Sequence, residues 1–546
     1  MADTFDYVIV GAGSAGCILA NRLSADGKHS VCILEAGPPD RNIYIHIPAG
    51  FIKNLDNPGI NWMYQAEPGA HINGRQMPVP RGKTLGGSSS INGMIYNRGQ
   101  RLDYDLWAQL GNRGWGYADV LPYFKRCEQR VGEADETFRG RDGSMTVETL
   151  GYTHPLADAF IQGAQELGIP RNPDYNGAKQ EGLNYVQRTV RSRRRVSTAR
   201  AFLHPARSRS NLTVITEAFA TKVLLEGRKA VGIAYSKGGR GGAPREVRAS
   251  KEVILSGGVI NSPQLLQLSG IGPSALLGSL GVDVVHHLPG VGENLRDHYA
   301  PRFVVRAKNV ETINERARGL RRGWEIAKYL AGGKSIVNLN PSMVYGFWHS
   351  DPNTRSNDLQ FIFTPASYDE GKHGLLADWP GFTIAAWQHR PESSGYVRAR
   401  SADPFDKPAI QPNYLAHELD QRTVVAAMRL ARSLSRTKAM APYHDGEEMP
   451  GENIQSDDEL LDAARRIGAS TYHPMGTCRM SPTTDATAVV DDELKVHGMQ
   501  GLRVVDASVM PRMMSANLAA GTMMIAEKAS DMILGKAPLE PIIVPE

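Results

Sequence analysis

Apolar and polar positions alternate along this chain in two distinct textures. At the start, residues 5–10 form a nearly continuous apolar run (Phe5, Tyr7, Val8, Ile9, Val10), the pattern of a strand buried on both faces. A glycine-rich turn follows, and Ala15, Ile18, Leu19 and Leu23 then recur at helical spacing. A second short strand at 31–34 ends on Glu35. Strand patterns return at 212–215, 221–225, 231–235, 252–255 and 502–506, and a long helix is predicted at 518–534. Between these, 358–364, 381–389 and 395–400 alternate apolar and polar residues, as half-exposed antiparallel strands do. The patterns predict a chain of mixed α/β and α+β class. A Rossmann-like dinucleotide-binding domain is expected from 1–155, 206–305 and 465–546. An inserted substrate domain built on an antiparallel sheet is expected from 156–205 and 306–464. A cleft between two such lobes is the expected small-molecule site.

The opening turn is Gly11-Ala12-Gly13-Ser14-Ala15-Gly16. Gly11 permits a turn too tight for a β-carbon, Gly13 lets backbone approach a pyrophosphate, and Gly16 lets helix pack on strand. Free N–H groups at the helix start, around Ser14 and Ala15, attract phosphate. Glu35 lies nineteen positions after Gly16, with Ala36 beside it. That is close to the roughly 20-residue offset at which a carboxylate meets a ribose diol. Strand, glycines, helix, strand and acid in order specify a dinucleotide, without saying which one.

Composition narrows the class. The 546 residues require more than one lobe. A net charge of +5 is small for this length and gives no global argument for nucleic acid. Arg191-Ser192-Arg193-Arg194-Arg195 is an isolated basic run, so no nucleic-acid partner is expected. Cys17, Cys32, Cys127 and Cys478 have no metal-ligand spacing, and no metal is expected. No apolar stretch approaches the roughly 20 residues of a spanning helix, and no signal peptide is expected ahead of the first strand. A cytoplasmic protein is expected. The basic stretch 316–334 carries Leu320, Trp324, Ala327 and Ala331 on one face. It is read as a solvated helix over the cleft, with contact to an anionic membrane surface as the alternative.

A second run, Gly82-Lys83-Thr84-Leu85-Gly86-Gly87-Ser88-Ser89-Ser90-Ile91-Asn92-Gly93-Met94, is too rich in small residues for a helix or strand interior. Its exposed N–H groups suit close wrapping of a ligand. Together with Tyr96-Asn97-Arg98-Gly99 and Asp105, it resembles the first signature of the glucose–methanol–choline oxidoreductases. Residues 258–272 resemble the second, departing at Val259, with Ser262 read as a helix cap and Pro263 in the first turn. Residues 288–298, ending Asn294-Leu295-Arg296-Asp297-His298, resemble a further landmark.

The resemblance implies FAD. Gly11, Gly13, Ser14, Ala15, Gly16, Glu35 and Ala36 would hold its adenosine diphosphate half. Arg81, Leu85, Gly86, Gly87, Ser88, Asn92, Gly93 and Met94 would surround the isoalloxazine. Val223 would meet the adenine through its backbone, and Asp506-Ala507 the middle of the cofactor. Some members bond the flavin covalently through a histidine where this chain has Ile91, so non-covalent FAD is expected.

Removing a hydroxyl proton needs a base with a pKa near working pH, and histidine suits this at about 6.5. The segment 471–480 resembles the family's catalytic-histidine segment and implies His473 as that base. Fourteen positions before Asp531, at a family position held by histidine or asparagine, stands Asn517. Its amide would hold the substrate oxygen. His286, His287 and His298 are read as structural. The implied reaction is FAD-dependent oxidation of a primary alcohol to the aldehyde. A hydroxynitrile-lyase-type flavoprotein and a choline-specific dehydrogenase are the alternatives. The pocket is expected around 338–342, Phe363, Tyr368, Trp387 and Tyr472. The acceptor is either oxygen or a quinone or electron-transfer protein, and the oligomeric state is open.

Overall fold

The computed structural model describes residues 3–370 and 375–544, and two sheets organise them. Residues 1, 2, 545 and 546 at the ends of the expected 1–155 and 465–546, and 371–374 within 306–464, lie outside the described residues.

The first sheet grows from the strand Asp3–Val10, whose last four residues are buried. It pairs in parallel with Val31–Leu34 on one side and Ala243–Leu255 on the other. Leu212–Ile215 and Leu502–Val504 extend the two sides, again in parallel. The antiparallel hairpin of Ala218–Glu226 and Lys229–Lys237 completes seven strands. Strands from three distant parts of the chain thus form one Rossmann-like sheet. Ser14–Leu23 packs against the last helix, Leu518–Ile533. The buried Glu527 carboxylate on that last helix accepts from Arg22 at 2.7 Å and Arg126 at 2.8 Å, tying both chain ends together.

The second sheet is antiparallel and has six strands, in the order His444–Met449, Arg302–Ala307, Gly381–Gln388, Leu359–Thr364, Val344–Trp348, Gly182–Tyr185. The strand Arg302–Ala307 crosses the expected boundary at 305. Helices Pro155–Glu166 and Glu418–Ser435 cover one face of this sheet. Two expectations change. The strand expected at 395–400 is the shorter Tyr396–Arg398, which pairs with Ala409–Gln411 in a separate ribbon. Alternation identifies a strand but not its partner. The stretch 316–334 holds the end of one helix, Ile313–Arg316, and a second, Gly319–Leu330, separated where Gly319 adopts φ +49°. No helix among the described residues is long and apolar enough to cross a membrane.

Candidate active site

A cavity of about 450 Å³ runs between the two sheets, from Glu35 and Ala36 to His473 and Asn517. Its nucleotide end depends on missing side chains. A β-carbon on Gly11 (φ +99°) would lie 2.5 Å from the Ser256 carbonyl oxygen, and one on Gly87 would lie 2.7 Å from Gly13 Cα. At Gly13 a β-carbon would meet nothing nearer than 4.0 Å beyond its own neighbours. It would project into space a ligand's phosphates need. Glu35 is buried, with Oε2 accepting from Ala12 N–H at 3.0 Å and Oε1 from Gly37 N–H at 2.8 Å. Burial, partly offset by those two donors, pushes its carboxyl up to about 7.

The glycine–serine run closes the middle of the cavity. Gly86 (φ +86°) donates its N–H to Ala12 C=O at 2.7 Å and starts the 3₁₀ turn Gly87–Ser90. Asn92 Oδ1 accepts from Arg195 Nη1 at 2.7 Å. Arg195, which the sequence offered only as part of a basic run, also donates to Ile45 C=O at 2.7 Å and Ser89 C=O at 3.1 Å. Its Nη2 is buried with no protein partner among the described residues, and burial lowers its pKa to about 9.

All but four of the residues expected at the cofactor line this cavity. Gly16 instead lets the helix close on the turn, since a β-carbon there would lie 1.9 Å from Gly11 O. Leu85 is in the core and Gly86 shapes the turn. Val223 is buried, and its N–H donates to Ser269 Oγ at 2.8 Å. Ala218, Phe219 and Ala220 form the wall there, set apart from Val223 by a register shift between Ala220 and Lys222 that re-aims the strand.

The helix read as starting at Ser262 starts at Gly258 and runs to Leu268. Ser262 Oγ therefore does not cap it; it donates to Asp506 Oδ2 at 2.6 Å, fixing the cavity-lining Asp506. Pro263 lies inside the helix, where its missing N–H frees the carbonyl four residues earlier. That carbonyl, on Val259, accepts from Thr477 Oγ1 at 2.6 Å. The proline thus creates the acceptor that anchors the segment following His473.

His473 sits at the far end. Its backbone N–H donates to Asp297 Oδ1 at 2.7 Å, while Asp297 Oδ2 accepts from Ser470 at 2.5 Å and Tyr414 at 2.6 Å. Tyr472 beside it is left-handed at φ +67°, held by its N–H to Ser470 Oγ (2.8 Å) and by Arg81 donating to its carbonyl (2.7 Å). His473 Nδ1 lies 2.8 Å from Thr471 Oγ1 and 3.0 Å from His298 Nδ1, and Nε2 lies 2.8 Å from Asn517 Nδ2. Burial, with His298 and Arg81 nearby, drives the His473 pKa well below the usual imidazole value. Asn517 occupies the N-cap position of Leu518–Ile533 but makes no capping bond with its side chain. Its Oδ1 accepts from Tyr345 OH at 2.6 Å, and Tyr345 OH also accepts from Gln360. His298, read as structural, touches His473, whereas His286 and His287 pair with Ile271–Gly272 away from the cavity.

The wall around this end alternates strictly by strand. Ile362 and Thr364 face the cavity, while Phe363 stacks on Phe160 at 4.4 Å on the opposite face. The expectation for Phe363 is therefore corrected: it is core. Of residues 338–342 only Pro341 lines the cavity. Tyr368, Trp387 and Tyr472 do so as expected, joined by Tyr345, Thr383 and Ala385, which the sequence reading missed. Among the described residues, the only carboxylates in the lining are Glu35 and Asp506, and its arginines are Arg81 and Arg302.

Family models described as GMC oxidoreductase match residues 5–300 and 391–526. The oxygen-dependent choline dehydrogenase of Staphylococcus xylosus is 41% identical, over 99% of this chain and 97% of that protein. The alcohol dehydrogenase [acceptor] of Pseudomonas putida is 42% identical, over 98% and 96%. A solved structure of an Aspergillus oryzae formate oxidase variant, described by its FAD modification, superposes with a TM-score of 0.89 at 26% identity, covering 98% of both chains. The glycine cradle, the buried Glu35 and the elongated cavity fit FAD. The chain belongs to the GMC oxidoreductase family and is an FAD-dependent oxidoreductase.

Proposed function

We propose that this enzyme oxidises an uncharged primary alcohol to the aldehyde, with His473 as the base and Asn517 as the group that holds the substrate oxygen. One observation carries the reading: the hydrogen-bond network leaves Nε2 of the cavity-lining His473 unprotonated, with the Asn517 amide as its donor. His298 Nε2 lies 2.7 Å from His389 C=O, which can only accept, so the His298 proton is on Nε2. His298 Nδ1 is then an acceptor, and the proton of His473 belongs on Nδ1, between His298 and Thr471. His473 Nε2 is left unprotonated, and Asn517 must present its N–H₂ to it. The Tyr345 hydroxyl on Asn517 Oδ1 fixes that orientation.

When an alcohol hydroxyl takes the place of the direct Asn517–His473 contact, its oxygen accepts from Asn517 Nδ2 and its proton passes to His473 Nε2. FAD, when bound, supplies the two-electron acceptor for the hydrogen leaving the alcohol carbon. The walls exclude water through Tyr345, Ile362 and Trp387. The depressed His473 pKa keeps the base neutral and ready at physiological pH.

The missing carboxylate supports an uncharged substrate. Glu35 and Asp506 sit among the nucleotide-binding elements, and Arg81 and Arg302 disfavour a quaternary ammonium beside His473. On this reading 1–155, 206–305 and 465–546 form the FAD-binding domain, and 156–205 with 306–464 the substrate domain. FAD is held without a covalent bond, because Ile91 offers no nucleophile. A panel of aliphatic alcohols, aromatic alcohols and choline, followed by anaerobic bleaching of the flavin and then by turnover with oxygen and with a quinone dye, tests the proposal. Faster bleaching by neutral alcohols supports it; preference for choline sinks the substrate assignment.

A further inference from the structure

The helix Gly319–Leu330 carries its apolar face away from the protein. At about 100° per residue, Leu320, Trp324, Ala327 and Ala331 fall on one side, and Leu330 and then Ile326 extend it along one edge. Leu320 is 95% exposed, Leu330 76%, Trp324 66% and Ile326 45%. The opposite side faces inward with polar groups. Glu325 is buried, pairs with Lys328 and accepts from Ile336 N–H at 2.9 Å. Tyr329 lies under the Arg193 guanidinium at 5.5 Å and donates to Arg193 C=O at 3.2 Å. A surface helix of a water-soluble protein shows the reverse arrangement. None of its residues lines the cavity, which departs from the expectation of a solvated helix over the cleft.

Charge identifies what covers this face. Residues 316–334 contain six basic side chains and one acid, the internally paired Glu325. Arg322 and Lys334 pair with no carboxylate among the described residues. Exposed Arg191 and Arg194 belong to the hairpin that anchors Tyr329. Next to that hairpin, the short helix Ile43–His46 exposes Ile43 and Tyr44. Glu311 pairs with Arg316 and Arg321, and Asp378 with Arg318, yet the rim stays net basic. An apolar strip with a net basic rim suits the headgroup–acyl boundary of an anionic bilayer. A second copy suits it poorly. A twelve-residue helix offers a face of roughly 200 Å², against about 800 Å² per partner in a stable dimer, and a two-fold contact would bring two net basic rims together.

We propose that this face docks the enzyme on an anionic lipid surface, with Leu320, Trp324 and Leu330 inserted and the basic residues among the headgroups. The following turn, Ile336–Asn338, packs on Pro48–Gly50, which leads into the cavity-lining Phe51 and Ile52. The docked face thus adjoins the cavity wall.

Co-sedimentation of the flavin-loaded enzyme with phosphatidylglycerol–phosphatidylcholine vesicles, against phosphatidylcholine alone, tests this. Binding is expected on the anionic vesicles only. It should weaken at least tenfold in Leu320→Glu/Trp324→Glu and in Arg322→Gln/Lys334→Gln, with flavin absorbance and melting temperature unchanged because these side chains are exposed. Absence of wild-type binding, equal binding to neutral vesicles, or equal binding by the Leu320→Glu/Trp324→Glu variant overturns the proposal. So does a wild-type dimer in sedimentation velocity that this variant disperses, which would make a second copy the occupant.

Discussion

His298 Nδ1 and His473 Nδ1 lie 3.0 Å apart, and only one of the two can bring a proton to that contact. Because His298 spends its own proton on the His389 carbonyl, His473 is held in the tautomer with a free Nε2. His298 is therefore a positioning residue on the proposed mechanism. In His298→Ala, His473 loses the acceptor that selects its tautomer. The rate of flavin reduction by alcohol is expected to fall at least tenfold, with little change in KM. His298→Asn, whose amide oxygen can accept, should recover part of the loss. Equal rates in wild type and His298→Ala would remove the tautomer argument.

His298 also predicts an acid limb in stability. Burial lowers its folded pKa to about 4, against about 6.5 in the unfolded chain. Below pH ~6.5 the unfolded chain takes up a proton the folded one refuses, so stability falls as pH drops toward 4, by about 1.4 kcal/mol per pH unit for this group. Melting temperatures at pH 7, 6 and 5 should decline in wild type and decline less in His298→Asn.

Catalysis should depend on pH through His473 in the same direction. Its pKa lies well below the usual imidazole value, so the base is already neutral at pH 7. The reduction rate should be level from about pH 8 down to about pH 6.5 and fall only below that. A plateau that begins above pH 7 would contradict the burial argument.

Asn517 gives a prediction of opposite sign. Asn517→Asp places a carboxylate 2.8 Å from His473 Nε2, which favours the imidazolium and removes the base at neutral pH. Activity should drop, and its rise with pH should move to higher pH. Asn517→Ala removes the oxygen-holding donor without adding charge and should cost about 2 kcal/mol, roughly thirtyfold, with the pH profile in place. Stopped-flow reduction across pH separates the two outcomes.

With Ile91 at the position where some family members carry a linking histidine, acid precipitation should release the yellow flavin into the supernatant. Colour retained in the washed pellet would show a covalent link elsewhere.

The parts of the fold legible in the sequence are those where one residue type is demanded locally. Gly11 and Gly87 are required by backbone approaching backbone, and continuous apolar runs mark strands buried on both faces. What escaped depends on partners remote in sequence. Alternation over 358–364 defines two faces but not which meets the cavity, and Phe363 proves to lie on the core face, with Ile362 and Thr364 on the other. Ser262 and Pro263 have the composition of a helix start, yet Asp506 and Thr477, more than two hundred residues away, determine what they do. His298 carried a signal only in standing beside Asp297, whose carboxylate holds the His473 backbone. The apolar face of Gly319–Leu330 was visible as periodicity, but periodicity does not say whether that face turns inward.

On the proposed mechanism the Nε2 lone pair of His473 removes the alcohol's proton. Anaerobic stopped-flow mixing of the FAD-loaded enzyme with its best primary alcohol, in wild type and His473→Ala, tests it most directly. Rapid bleaching is expected in wild type, and bleaching slowed by about 10²–10⁴-fold in His473→Ala, with the flavin still bound. Bleaching at equal rates in both proteins, or an unbleached wild-type flavin, would contradict it.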